Sequence, residues 1–330
     1  VPRGGRWRQD VVAPTWSAVV HLADPDVEGW VFRPCHAAHL ARLCPGIHCR
    51  ICSERGAFAE ALPMADIAIT WSVTQADIDS AVRLRILSTP AAGRDYFDVH
   101  VPPRVAHFYG HFHGEIMAET ALAMILGMTR GVRPAATHLA GLEWPQQELG
   151  QCMRPLRGAH VCILGFGHIG QWTGRLLKPF GVRLTGIRRN PEKATQPTFM
   201  TSGDSVLPLS DLDAVLPTVD HLVIILPGGV ETDGIIDARR LELLPPHATL
   251  TNLGRGNAID ERALEHALRL GRLGGACLDV FSREPLPADA SLRSCPNLWR
   301  LPHAAAISPN YLDLFVRDFA HQFCEWQKNS

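Results

Sequence analysis

The chain lacks any run approaching about 18 uninterrupted apolar residues, so no transmembrane helix is expected. It also lacks a charge surplus: 32 Lys and Arg stand against 33 Asp and Glu, for a net charge of −1. Without a basic excess there is no electrostatic footprint for nucleic acid or for an anionic membrane surface. Internal repeats and low-complexity tracts are missing, which sets aside solenoids and disordered tails. A disulfide framework is not indicated, because the nine cysteines are odd in number and scattered, with Cys162 and Cys277 inside apolar, strand-like runs. Reduced thiols in a cytoplasmic protein fit that pattern. Cys44, His48, Cys49 and Cys52 crowd together in the chain. They lack a second paired knuckle at zinc-finger spacing, and no metal is expected there. The opening Val1-Pro2-Arg3-Gly4 resembles a protease-site remnant. No apolar segment follows it, so a signal peptide is not expected.

What is present is globular material in quantity. With 330 residues, 46% hydrophobic and 20% charged, the chain has enough apolar mass for about two domains with sizeable cores. In the N-terminal third, apolar runs at 17–22, 66–70 and 84–88 predict strands, and 37–43 and 75–80 predict helices. That alternation indicates a small parallel sheet. A long helix is predicted over 114–130, where Ile116, Ala123, Met124 and Met128 recur at roughly helical spacing, and a polar link over 141–155 follows. Beyond it the rhythm continues, with strands expected at 182–187, 221–226, 248–253, 275–280 and 298–301. Helices are expected at 210–216, 237–243 and 261–270. The second half therefore reads as an open, doubly wound α/β sheet.

Residues 160–170, HVCILGFGHIG, carry the strongest chemical signal. A buried strand runs into Gly165-x-Gly167-x-x-Gly170, a helix is predicted to follow through about Phe180, and His168 and Ile169 within the turn count with its glycines as cofactor-binding residues. Gly165 suits the tight turn, Gly167 lets backbone approach a pyrophosphate, and Gly170 lets the helix pack on the strand. The phosphates would lie at the helix's positive N-terminal end. The next strand ends at Arg188 and Arg189, where an acidic residue would hold the ribose hydroxyls of NAD. Two guanidiniums there suit a 2′-phosphate, so NADP is expected ahead of NAD.

In a doubly wound sheet, ligands gather at the carboxyl ends of the strands. Three ionisable residues fall there. Arg255 sits in TNLGRGNAID between two glycines, Glu284 in LDVFSREPLP just past the strand carrying Asp279, and His303 in RLPHAAA. A histidine beside a carboxylate is a general acid/base whose imidazolium persists near neutrality. An arginine suits a planar carboxylate or a polarised carbonyl. Together they have the chemistry to reduce a 2-oxo acid with hydride from a nicotinamide.

From about His113 to Ile307 the order of motifs resembles the D-isomer-specific 2-hydroxyacid dehydrogenase family. The stretches that carry the likeness are HGEIMAETALAMILGMTRG, LRGAHVCILGFGHIG, LPGGVETDGIID, TNLGRGNAIDERAL, GGACLDVFSREPLP and LPHAAAIS. Within the family the glyoxylate/hydroxypyruvate reductases are the most similar. The resemblance implies two Rossmann-like doubly wound domains. A dinucleotide-binding domain over 114–303 would be inserted in a smaller flavodoxin-like substrate domain, built from 1–113 and 304–330. Closure of the two around a small 2-oxo or 2-hydroxy acid would exclude water. It implies that Arg255 binds the substrate's carboxylate and carbonyl oxygen, that Glu284 tunes His303, and that His303 delivers the proton. Ala92 and Gly93, in the loop Ala91-Ala92-Gly93, would grip the carboxylate, Asp279 would hold the nicotinamide carboxamide, and Pro227 would line the cofactor. A homodimer is implied through the helix beginning near Gly114, whose methionine face fits an interface and an ordinary core alike. Formate dehydrogenases are similar in fold but place Gln where Glu284 stands, which sets formate aside. The alternatives are a phosphoglycerate-type dehydrogenase using NAD and a non-enzymatic, dinucleotide-sensing protein like the corepressors that share this fold.

Overall fold

The structure, a computed structural model, describes residues 15–94, 96–132, 135, 144, 146–193 and 196–329. The described residues divide into two compact units. One is drawn from residues 15–92, 96–110 and 309–329, the other from 93–94 and the described residues within 111–308.

The first unit is built on five parallel strands, β1 (Trp16–His21), β2 (Ile47–Ile51), β3 (Ile67–Thr70), β4 (Ile86–Thr89) and β5 (Ala106–Tyr109). Their order, β2-β1-β3-β4-β5, is the flavodoxin-like arrangement. Helices α1 (Pro34–Leu43), α2 (Arg55–Ala61) and α3 (Gln75–Ser80) lie between successive strands in the chain. Local chemistry explains where α3 starts: Thr74 accepts the Asp77 N–H, and the Asp77 carboxylate accepts the Thr74 N–H at 2.7 Å, a reciprocal capping box. Strands β2 and β5 were not expected. Of the five residues of β2 only Ile47 is buried, so its pattern carries little apolar signal, and its pairing with β1 supplies what the sequence does not. Two of the clustered cysteines are core residues. Cys44 closes α1 and Cys52 packs with Val19, Phe58 and Leu62, and burial pushes the Cys44 thiol up to about 12. Among the described residues no group of three or more His, Cys, Asp or Glu is placed to hold a metal ion.

The second unit has seven parallel strands: β6 (His160–Leu164), β7 (Arg183–Ile187), β8 (Ser205–Leu207), β9 (His221–Ile224), β10 (Thr249–Asn252), β11 (Gly275–Leu278) and β12 (Leu298–Arg300). Its helices are α4 (His113–Thr129), α5 (Gln146–Cys152), α6 (His168–Leu177), α7 (Leu212–Val215), α8 (Ala238–Leu243) and α9 (Glu261–Arg269). The order β8-β7-β6-β9-β10-β11-β12 reverses direction between β6 and β9, which makes the carboxyl ends of those two strands a topological switch point. Alternation along the strands divides the side chains between two cores. Cys162, Leu164, Leu222 and Ile224 join one with Leu216, Leu241 and Leu264, while Val161, Ile163 and Val223 join the other with Ile125 and Leu177. Each fully buried Val, Leu or Ile contributes about 1.5–3 kcal/mol of transfer free energy, so the sheet is held from both faces.

Several expectations change here. Part of the polar link over 141–155 is helical, as α5; residues 141–143 and 145 lie outside the described residues. The helix expected through Phe180 ends at Leu177 and tightens to a 3-10 turn over Lys178–Phe180, which Gly181 closes at φ 76°. The helix expected over 210–216 is α7 flanked by 3-10 turns, Leu209–Asp211 and Leu216–Thr218. Of the methionine face of α4, read as suiting an interface or a core alike, Met124 is buried with Met117, Leu253 and Cys277, and Met128 is partly buried against them. No helix among the described residues is long and apolar enough to cross a membrane.

Candidate active site

The glycine turn lies at the switch point. Gly165 leaves β6 at φ 100°, and a Cβ there would stand 2.2 Å from the Ile225 carbonyl oxygen, so both conformation and contact require glycine. Gly167 begins α6 and has no side chain to cap it. A Cβ at Gly167 would meet no protein atom within 4 Å, so the space before the helix N-terminus is open on that side. Gly170 packs against the Gly165 carbonyl and Ile163, and His168 and Ile169 form the first turn. Backbone donors, the positive helix end and open space together fit the pyrophosphate of a dinucleotide.

Arg188 and Arg189 follow β7 directly. Arg188 is half-buried, and its backbone N–H donates to the Leu207 carbonyl at 3.1 Å. Arg189 is paired with Glu231, but both side chains are more than 70% exposed, so water and salt screen the pair heavily. Pro227 is exposed in the loop after β9, and its carbonyl accepts the Thr232 hydroxyl at 2.9 Å.

Arg255 stands just past β10, and a residue the sequence reading passed over shapes its loop. Asn252, fully buried at the strand end, accepts the Gly254 N–H at 3.0 Å and donates its amide to the Arg255 carbonyl at 2.9 Å. The only hint in the sequence was a lone amide closing an apolar strand in TNLGRG. The Arg255 guanidinium donates to the Gly254 carbonyl at 3.0 Å and lies within electrostatic reach of both Glu284 and His303.

Glu284 and His303, nineteen positions apart, meet at 2.7 Å between Oε2 and Nδ1. The other carboxylate oxygen of Glu284 accepts the Phe281 N–H at 2.8 Å. His303 occupies the left-handed region at φ 53°, uncommon for a residue with a Cβ. Asp279 holds that turn: its carbonyl accepts the His303 N–H at 2.8 Å, and its two carboxylate oxygens accept the Ala304 and Ala305 N–H groups at 2.6 and 3.0 Å. Asp279 is 1% exposed. Burial pushes its pKa up, opposed by those two N–H groups. The His303 pKa is raised, first by its bond to Glu284 and then by the charges of Glu284 and Asp279, against desolvation and Arg255. Burial pushes Glu284 upward, but the His303 bond and the Phe281 N–H outweigh it, and its pKa is lowered. With Nδ1 committed to Glu284, Nε2 is the nitrogen left for proton transfer.

The structure thus brings Arg255, Asp279, Glu284 and His303 together at the carboxyl ends of β10, β11 and β12. Ala92 and Gly93 lie in the loop leaving β4, where Ala91 accepts the Gly110 N–H at 2.9 Å.

Residues 122–305 match the family model for the D-isomer specific 2-hydroxyacid dehydrogenase, NAD binding domain. The glyoxylate/hydroxypyruvate reductase B of Yersinia enterocolitica is 33% identical over 237 residues, which cover 70% of this chain and 71% of that protein. The glyoxylate reductase of Aeropyrum pernix is 34% identical over 256 residues, 73% of this chain and 74% of that protein. Among solved structures, the NADPH-dependent glyoxylate/hydroxypyruvate reductase of Sinorhizobium meliloti, in complex with NADP and sulfate, has a TM-score of 0.76. It is 26% identical, with 96% of each chain covered. Sequence motifs, sheet order and relatives converge: the chain belongs to the D-isomer-specific 2-hydroxyacid dehydrogenase family, and it is an NAD(P)-dependent oxidoreductase.

Proposed function

We propose that the enzyme reduces a small 2-oxo acid, with glyoxylate and hydroxypyruvate the first candidates, to the D-2-hydroxy acid using NADPH. The observation that carries this reading is the 2.7 Å Glu284–His303 bond beside Arg255 at one edge of a dinucleotide-type sheet. Reduced nicotinamide, when bound, supplies the hydride that the substrate C2 accepts. His303 Nε2 gives a proton to the carbonyl oxygen as the charge on it grows. Glu284 keeps the imidazole oriented and protonated near neutral pH. Arg255 pairs with the substrate carboxylate and polarises the carbonyl; a carboxylate-gripping role for the Ala92 and Gly93 backbone is what the family likeness implies. Asp279 shapes the His303 turn, and an oxygen that accepts one N–H retains capacity for a carboxamide.

The preference for NADPH rests on Arg188, which replaces the acid of NAD users at the end of β7, and is consistent with the NADP held by the Sinorhizobium meliloti relative. Gly165, Gly167, His168, Ile169 and Gly170 would cradle the pyrophosphate, with Pro227 beside it. A homodimer belongs to the same reading. Within the second unit, Met117 and Met124 of α4 are buried in the core and Met128 is partly buried against it. The test is steady-state oxidation of NADPH and, in parallel, NADH across a panel of 2-oxo acids. Turnover of glyoxylate or hydroxypyruvate with NADPH favoured is the expected result. Tight dinucleotide binding with no turnover would transfer the protein to the sensor reading.

A further inference from the structure

Ser282 stands two residues before Glu284 and is gripped twice by one side chain. Its N–H donates to Glu261 Oε1 at 2.6 Å, and its hydroxyl donates to Glu261 Oε2 at 2.8 Å. Glu261 is the first residue of α9, yet it is not the cap of that helix. Asp260 does the capping, accepting the Arg262 and Ala263 N–H groups at 3.0 Å each. The Glu261 carboxylate is therefore free of local duty and reaches to a distant loop.

Two further contacts close the circuit. A Cβ on Gly256, the neighbour of Arg255, would stand 1.9 Å from the Phe281 carbonyl carbon and 2.3 Å from the Ser282 nitrogen, so the two loops touch backbone to backbone. The Phe281 N–H in turn donates to Glu284 at 2.8 Å. The segment that aims Glu284 at His303 is thus pressed against the Arg255 loop on one side and tied to the start of α9 on the other.

We propose that Glu261 and Ser282 form a positioning clamp that sets the Glu284–His303 dyad relative to Arg255. The proposal rests on reading His303 as the proton donor. Neither residue is core: Glu261 is half-buried and Ser282 exposed, so losing the clamp loosens the loop without removing apolar packing. The charged groups facing His303 are Glu284, Asp279 and Arg255, and of these only Glu284 rides on the clamped loop. A looser loop weakens the Glu284 bond and leaves the other two influences in place, so the imidazolium holds its proton less firmly.

The experiment compares the full-length protein with Glu261→Ala, Glu261→Gln and Ser282→Ala. Glutamine keeps an acceptor for the Ser282 N–H and offers a donor to its hydroxyl, so it is the conservative rescue. One readout is the NMR titration of the His303 imidazole in substrate-free protein, identified by its loss in His303→Gln. The second is kcat and KM against pH with NADPH and glyoxylate. Glu261→Ala is expected to move the titration to lower pH and to lower kcat about 3- to 10-fold with KM little changed, a fraction of what general acid catalysis supplies. Glu261→Gln should recover most of both, and Ser282→Ala should fall between. Superimposable His303 titrations in Glu261→Ala and unmodified protein would overturn the clamp, as would a Glu261→Gln protein as impaired as Glu261→Ala. If Glu261→Ala does not fold, the Ser282→Ala titration decides alone. A shifted titration in a protein that reduces no 2-oxo acid would keep the clamp and remove the functional reading instead.

Discussion

Replacing Asn252 with alanine would test whether the Arg255 loop is held from inside the sheet. The side chain is fully buried and makes two hydrogen bonds, to the Gly254 N–H and the Arg255 carbonyl. Gly254 is itself buried, so its N–H finds no water when the amide is gone, whereas half-buried Arg255 recovers some solvent. An unsatisfied buried backbone group costs about 1–3 kcal/mol, which puts the loss at about 2–3 kcal/mol once Arg255 is discounted. For a unit of about 200 residues, each kcal/mol moves Tm by about 2–4 °C, so the variant should melt about 4–12 °C lower by calorimetry. Because the loop carries Arg255, the arginine proposed to bind the substrate carboxylate, KM for glyoxylate should rise about tenfold, a loss of about 1.4 kcal/mol in binding. The Kd for NADPH should hold, since the Gly165–Gly170 turn is untouched. A variant that melts within about 1 °C of the unmodified protein, with its KM unchanged, would refute the reasoning.

Glu284→Gln removes the carboxylate that raises the His303 pKa, so the alkaline limb of kcat should move toward lower pH, while an unmoved limb would dissociate Glu284 from the proton step. The same pair has a stability signature. The raised His303 pKa stabilises fully below the imidazole's ordinary 6.5, and this is lost as pH rises through the folded value. The lowered Glu284 pKa stabilises above its ordinary 4.5, and this is lost as pH falls through the folded value. The contribution is therefore complete between 4.5 and 6.5, and Glu284→Gln should flatten the Tm profile at the edges of that window. Arg188→Asp should shift the ratio of kcat/KM from NADPH toward NADH by about tenfold or more, the effect of exchanging a charged partner for a repelling one. An unchanged ratio would remove Arg188 from cofactor choice.

The elements read correctly from sequence are those whose signals are local. In β6 every residue is buried and a glycine that tolerates positive φ follows, so strand, turn and helix were written in consecutive residues. For α3, Thr74 and Asp77 cap one another within a single turn. The edge strands β2, β5 and β8 were missed because they are short and partly exposed, with little apolar pattern of their own. The methionines of α4 illustrate the same limit: helical spacing shows that a face is apolar, and only packing shows that Leu253 and Cys277 cover it.

For the site, the sequence by itself determined the chemical types at the strand ends: glycines where backbone must bend, Arg188 where an acid was expected, and Arg255, Glu284 and His303 past successive strands. Tertiary structure alone decided how they act together. It set the 2.7 Å bond across nineteen positions, gave Asp279 its hold on the His303 turn, and enlisted Asn252 and Glu261, polar residues that look like an ordinary strand end and helix start in one dimension. The physical reason is that a residue's type is a local property, whereas a hydrogen bond needs a partner within about 3 Å, and only the packed parallel sheet brings distant loops that close.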